Sequence, residues 1–172
     1  DAVMLGLGRE AVEVPTAMVV PVLSLGEVGT AVAEAQSLIN GNIVLSRLNP
    51  DVQVRFTSEV LAAALRSEVV GPAEDPQIQL SFALEPLLEF LEPQRAAIEF
   101  EPVDAQVVIR PDDTPAVIPG RSALLVDEDA LAGAVQAAAS VRSRSGPFPY
   151  KEGAEPDLTT AEAEDLGIKE LI

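Results

Sequence analysis

The chain has 172 residues, 48% of them hydrophobic, with no Trp, one Tyr and five Phe, which suits an aliphatic core and argues against disorder. Asp and Glu outnumber Lys and Arg 28 to 11, a formal charge of −17, so nucleic acid and anionic lipid are disfavoured as partners by simple repulsion. Neither His nor Cys occurs, which removes Ser-His and Cys-His catalysis, His- or thiolate-held metals and disulfides together.

Residues 2–7 are apolar and short, as the last turns of a helix would be, and residues 11–15 and 17–20 read as extended and proline-bearing. A helix is expected from Ser24, whose hydroxyl and Glu27 form a capping box. Leu25, Val28, Ala31, Val32, Ala35, Leu38 and Ile39 share its apolar stripe, and Asn40-Gly41 ends it. Residues 42–48 and 52–56 flank the turn Asn49-Pro50-Asp51 and alternate through Ile43, Leu45, Val52, Val54 and Phe56, so they predict a hairpin with one buried face.

Thr57 opens a brief helix carrying Val60, Leu61, Ala64 and Leu65; residues 67–70 and 77–82 are extended around a loop. Leu84, Leu87, Leu88 and Leu91 mark a helix that tolerates Pro86 only in its first turn. Residues 104–110 and 115–119 predict strands about Asp112-Asp113, and residues 123–126 lead to Asp127, the cap of a helix with Leu131, Ala134, Val135 and Ala138 on its stripe. Arg142 and Arg144 sit at its end, where cations suit the dipole and a solvated surface is expected. Residues 145–151 are extended, and Thr159 opens a last helix ended by Gly167. Helices and hairpins alternate without a strand-helix-strand rhythm, so the expected class is α+β, with helices packed on a mainly antiparallel sheet.

One motif occurs twice. Pro21-Val22-Leu23-Ser24-Leu25-Gly26-Glu27 returns as Pro156-Asp157-Leu158-Thr159-Thr160-Ala161-Glu162, an offset of 135 residues (156 − 21). Each copy is Pro, any residue, Leu, a hydroxyl residue and, three places on, Glu. A period of this size points to tandem domains rather than a solenoid. The expected organisation is residues 1–23 as the tail of a preceding copy, residues 24–157 as one complete domain, and residues 158–172 as the entry to the next.

The run Thr30-Ala31-Val32-Ala33-Glu34-Ala35, then a hairpin, then Phe56-Thr57-Ser58-Glu59-Val60, resembles the peptidoglycan-binding domain found beside VanW domains and in some L,D-transpeptidases. The later hallmarks are Pro102-Val103-Asp104-Ala105, Ile118-Pro119-Gly120-Arg121 and Val126-Asp127-Glu128-Asp129-Ala130-Leu131. The closing run, residues 156–172, looks like the entry to a VanW domain. Two departures are local: Phe82-Ala83 stands where the family usually has an aspartate cap, and Ser122-Ala123 follow Arg121 where a glycine is common.

The resemblance implies a non-catalytic, extracytoplasmic, cell-envelope module of a VanW-family protein. Its expected partners are peptidoglycan and neighbouring domains of its own chain; any export signal or anchor is expected upstream. The alternative is a structural spacer or protein-interaction module that positions the VanW domain without glycan affinity. No catalytic residue, metal or cofactor is expected, because Asp127-Glu128-Asp129 is better explained as a helix cap and Asp112-Asp113 as a turn. The residues best suited to a ligand are Tyr150, for stacking on a sugar ring, and Arg121 and Arg110, for pairing with stem-peptide carboxylates.

Overall fold

The computed structural model describes residues 23–48, 50–72, 75–112 and 114–166. Readings that fall on residues 1–22, on Asn49, on Asp113 and on Gly167 lie outside them.

Helix α1 (Leu25–Ile39) begins as its sequence predicts: Ser24 N–H donates to Glu27 Oε2 (2.6 Å) and Glu27 N–H donates to Ser24 Oγ (3.3 Å). Gly41, at φ +91°, turns the chain in the left-handed region just after it. Strands β1 (Ile43–Leu48) and β2 (Asp51–Phe56) form the expected antiparallel hairpin, and Ile43, Leu45, Val52, Val54 and Phe56 are all buried. Helix α2 (Ser58–Ala64) is capped by Thr57 and buries Leu61 and Ala64.

Strands β3 (Leu65–Val70) and β4 (Gln77–Phe82) make a second hairpin. Helix α3 (Leu84–Leu91) follows with Pro86 in its first turn. Its cap residue Ala83 offers no side-chain acceptor, and the Ala83 N–H instead donates to the Ala64 carbonyl at 2.7 Å. A 3-10 turn (Glu92–Gln94) and the short helix α4 (Arg95–Ile98) continue it, two elements that the sequence pattern did not suggest.

Strands β5 (Gln106–Ile109) and β6 (Pro115–Ile118) pair antiparallel. Bridges Val103–Arg121 and Phe100–Leu124 continue the same register back towards the core, so these pairings form one long, interrupted arm. Beyond it come β7 (Leu124–Val126), helix α5 (Glu128–Ser140), β8 (Ser145–Pro147), β9 (Tyr150–Glu152) and the short helix α6 (Thr160–Asp165). The class is α+β, as expected. The sheet is divided, however, into small pieces ordered β2-β1-β8, β3-β4, β5-β6 and β7-β9, and β8 runs parallel to β1.

The core lies between the β1–β2 hairpin and helices α2, α3 and α5, with Phe56, Leu61, Leu87, Leu91, Leu131 and Val135 almost entirely removed from water. The rings of Phe56 and Phe90 meet at 5.4 Å in a tilted arrangement. Helix α1 differs from the pattern of its stripe: only Leu38 is buried, while Leu25 and Val32 stay exposed. A period of 3.6 marks which residues share a face, but not whether another element covers it.

Arg144 is a second correction, because it is no solvated helix end. Its guanidinium donates to the carbonyls of Ser37 (3.1 Å), Leu38 (2.7 Å), Gly41 (3.1 Å), Asn42 (3.4 Å) and Ala139 (3.3 Å). These include carbonyls from the last turns of both α1 and α5, which lack helical partners and carry the negative end of the dipole. Arg144→Ala is expected to lower unfolding free energy by about 2–4 kcal/mol, since bonds to a charged donor are lost and partly buried carbonyls are orphaned. Arg144→Lys should recover little, lacking the planar fork. Urea denaturation of the three proteins checks both expectations.

Candidate functional site

The long arm leaves the core at Phe100, and its ladder is broken at Glu101-Pro102, opposite Ser122-Ala123, where Pro102 has no N–H to donate. At that break the chain opens into a cleft of about 520 Å³. Phe100, Pro102, Val103 and Leu124 supply apolar lining, Pro50 closes one side, and Arg121, Glu99 and Glu101 bring charge to it. Arg121 is held through its backbone, which exchanges two 2.8 Å hydrogen bonds with Val103. Its guanidinium makes no ion pair among the described residues.

Gly120, just before it, is required by close approach. A Cβ there would lie 2.8 Å from the Ala105 nitrogen and 3.0 Å from the Val103 oxygen. The Pro-Gly-basic run is therefore a packing requirement that delivers a cation to the cleft.

Tyr150 lies beside this region but does not line it. Its hydroxyl donates to the Ile98 carbonyl (2.6 Å), its ring meets Phe148 at 5.0 Å, and the Arg47 guanidinium stands 5.0 Å over the ring centre. Because Ile98 precedes Glu99 and Phe100, the hydroxyl anchors the start of the segment that walls the cleft. Arg110 is at the far end of the arm, where its N–H donates to the Thr114 carbonyl. Arg110 is 11 residues (121 − 110) from Arg121 in sequence and, across the ladder, about seven residues from it, or roughly 23 Å at 3.3 Å per residue. The structure thus places Arg121 at a cleft and does not bring Tyr150, Arg121 and Arg110 together. Phe100 was not singled out from the sequence; its signal is that it is one of only five Phe and stands two residues before the Pro102-Val103-Asp104-Ala105 hallmark.

A second concavity, about 780 Å³, is lined by Leu84, Glu85, Leu88, Glu89, Glu92, Arg95 and Glu128. Arg95 there is committed to Glu128 (2.8 Å), Glu92 (3.1 Å) and Glu99 (3.4 Å), which raise its pKa from an already high value. Asp127 accepts from the Ala130 N–H (3.3 Å) as a helix cap, and Asp112 accepts from the Thr114 N–H and hydroxyl in a turn. Among the described residues no group of acidic side chains is arranged to hold a metal ion, and no helix is long and apolar enough to cross a membrane.

The family model described as "Putative peptidoglycan binding domain" matches residues 46–145. The chain belongs to that family. The matched stretch runs from β1 to β8, whose parallel pairing sets Ser46 beside Pro147, so its two ends close on one another in space. No curated protein and no solved structure matches the chain. Membership in this family associates the module with the cell envelope.

Burial raises the Tyr150 pKa above its ordinary value; the nearby Arg47 charge opposes that rise and Glu99 adds to it. As the chain has one Tyr, its phenolate absorbance can be followed alone. The midpoint is expected above 10 in the folded protein and at about 10 in denaturant. A raised folded pKa means that this contribution to stability is complete below the unfolded value and is lost as pH rises through the folded one. A folded midpoint at or below the unfolded one would contradict this placement of Tyr150.

Proposed function

We infer that the module is non-catalytic and contacts peptidoglycan through the cleft between Phe100 and Arg121, within a VanW-family envelope protein. The observation that carries this reading is the cleft itself: in a chain of net charge −17, a cation with no ion pair among the described residues stands beside an aromatic and two prolines in one concavity. An aromatic or proline face suits the apolar face of a sugar ring, and a guanidinium suits a stem-peptide carboxylate bidentately. Glu99 and Glu101 fit hydroxyl or ammonium donors of the same polymer. Tyr150 acts here by positioning residues 98–100, and Arg110 lies outside the contact. A single shallow site of this kind binds weakly, and several modules in one chain would add avidity.

The spacer reading is favoured by a different observation. Leu158 and Thr160 are hydrogen-bonded onto the arm, which gives the chain a fixed path there.

Co-sedimentation with purified sacculi at low and moderate salt tests the wall contact. Saturable pelleting is expected, with Phe100→Ala or Arg121→Ala weakening it about tenfold and Arg110→Ala leaving it unchanged. Pelleting that is absent at high protein concentration, or insensitive to both cleft variants, contradicts it.

A further inference from the structure

The repeated motif has the same local geometry at both places. Thr159 and Glu162 form a capping box on α6, with Thr159 N–H donating to Glu162 Oε2 (2.9 Å) and Glu162 N–H donating to Thr159 Oγ1 (3.2 Å), as Ser24 and Glu27 do on α1. The second copy is docked. The Leu158 N–H donates to Asp104 Oδ1 (3.1 Å), the Leu158 carbonyl accepts from the Ala105 N–H (2.9 Å), and the Gly120 N–H donates to Thr160 Oγ1 (3.0 Å). Ala163, one turn on from Thr160, is only 2% exposed, and α6 packs on β6. The seat is a notch on the arm between Asp104-Ala105 and Gly120, and it is open to a chain only because Gly120 lacks a Cβ, which would stand 3.2 Å from the Leu158 oxygen.

The same offset carries Thr160 and Ala163 onto Leu25 and Val28 (160 − 135 and 163 − 135). In α1 these positions are uncovered: Leu25 is 94% exposed, Val28 40%, and Val32, on the same stripe, 50%. Three exposed aliphatics share this stripe, and two of them, Leu25 and Val28, stand at positions equivalent to ones occupied by a docked helix start elsewhere in the same chain, which marks an interface that lacks its other half.

We propose that the Leu25–Val28–Val32 stripe seats a β-hairpin arm of the β5–β6 kind, carried by a module immediately N-terminal in the same polypeptide. Consecutive modules then stack head to tail, each resting the capped start of its first helix in the notch of the arm before it. The docking is made by the backbone N–H and carbonyl of Leu23, the counterpart of Leu158, and by apolar burial rather than by ion pairs, which suits modules that repel one another through their charge. Leu25 in place of Thr160 makes the upstream joint more apolar than the downstream one. Tethering supplies the concentration that so small a contact needs. This inference rests on the repeat, not on wall affinity, and its test does not read binding to the wall.

The absence of Cys makes introduced pairs unambiguous. In a two-module chain, residues 1–155 are followed directly by residues 21–172, so that the second Pro21 takes the place of Pro156. Gln53, on the exposed face of β2, is changed to Cys in both copies and carries nitroxide labels. A single narrow inter-label distance is expected, together with slow exchange of the Ala105 amide of the first copy, whose observed acceptor, the Leu158 carbonyl, has its counterpart in Leu23 of the second. Leu25→Asp with Val28→Asp in the second copy should broaden the distribution and release that amide, while Leu25→Thr, which returns a hydroxyl to Gly120, should keep it narrow. The double variant in the single-module chain, with unchanged circular dichroism, shows that the fold survives. A broad distribution in both the unaltered and the Leu25→Thr two-module chains overturns the proposal. A distance that appears only at high concentration also overturns it, assigning the stripe to contact between separate molecules.

Discussion

The guanidinium of Arg144 gathers backbone carbonyls from the ends of α1 and α5 and from the turn into β1, and the module's closure rests on that convergence. Two helix C-termini brought together would oppose partial negative charges and leave carbonyls without donors. One planar cation answers both problems with a fork that Lys cannot reproduce. Arg144 itself stands at φ +48°, in the left-handed region, and its carbonyl accepts from the Val44 N–H where β8 begins to pair with β1. The strained backbone is thereby tied to the side chain's reach: the residue turns sharply so that strand and guanidinium can serve the same corner.

From that corner the rest follows spatially. The parallel β8 brings Phe148 into the core and Tyr150 beneath the base of the arm, and the Tyr150 hydroxyl fixes Ile98. The arm then projects with a broken ladder, and the break is the cleft. The proposed wall contact and the docking of α6 share this element but use different places on it: the cleft lies between the Phe100–Leu124 and Val103–Arg121 bridges, the notch between Asp104 and Gly120. Gly120 and Arg121, adjacent in sequence, serve the two in turn.

The sequence made local features legible and left distant ones hidden. Ser24 with Glu27, Thr159 with Glu162 and the alternation through Ile43 to Phe56 announce a cap or a face within a few residues, and the structure contains all three. The α1 stripe was legible as a stripe but not as an uncovered one, because burial depends on what the chain brings across from elsewhere. The parallel pairing of β8 with β1 joins residues about 100 positions apart and has no local signature. Arg144 looked like an ordinary basic residue after a helix for the same reason, its partners near residues 37–42 being invisible from residue 144. At the cleft, Arg121 was legible through the Pro-Gly-basic turn, whereas Phe100 became meaningful only when the arm folded Pro102 and Leu124 beside it.

We propose that this acidic module engages the cell wall through one small cleft at the base of its arm. Amide chemical shifts of the ¹⁵N-labelled chain, followed during titration with solubilised muropeptides, test it residue by residue. Saturable shifts are expected, confined to the backbone around Phe100, Glu101, Val103, Arg121, Ser122 and Leu124, with nothing comparable at Arg110. Saturable shifts centred elsewhere, or none at millimolar ligand, would contradict it.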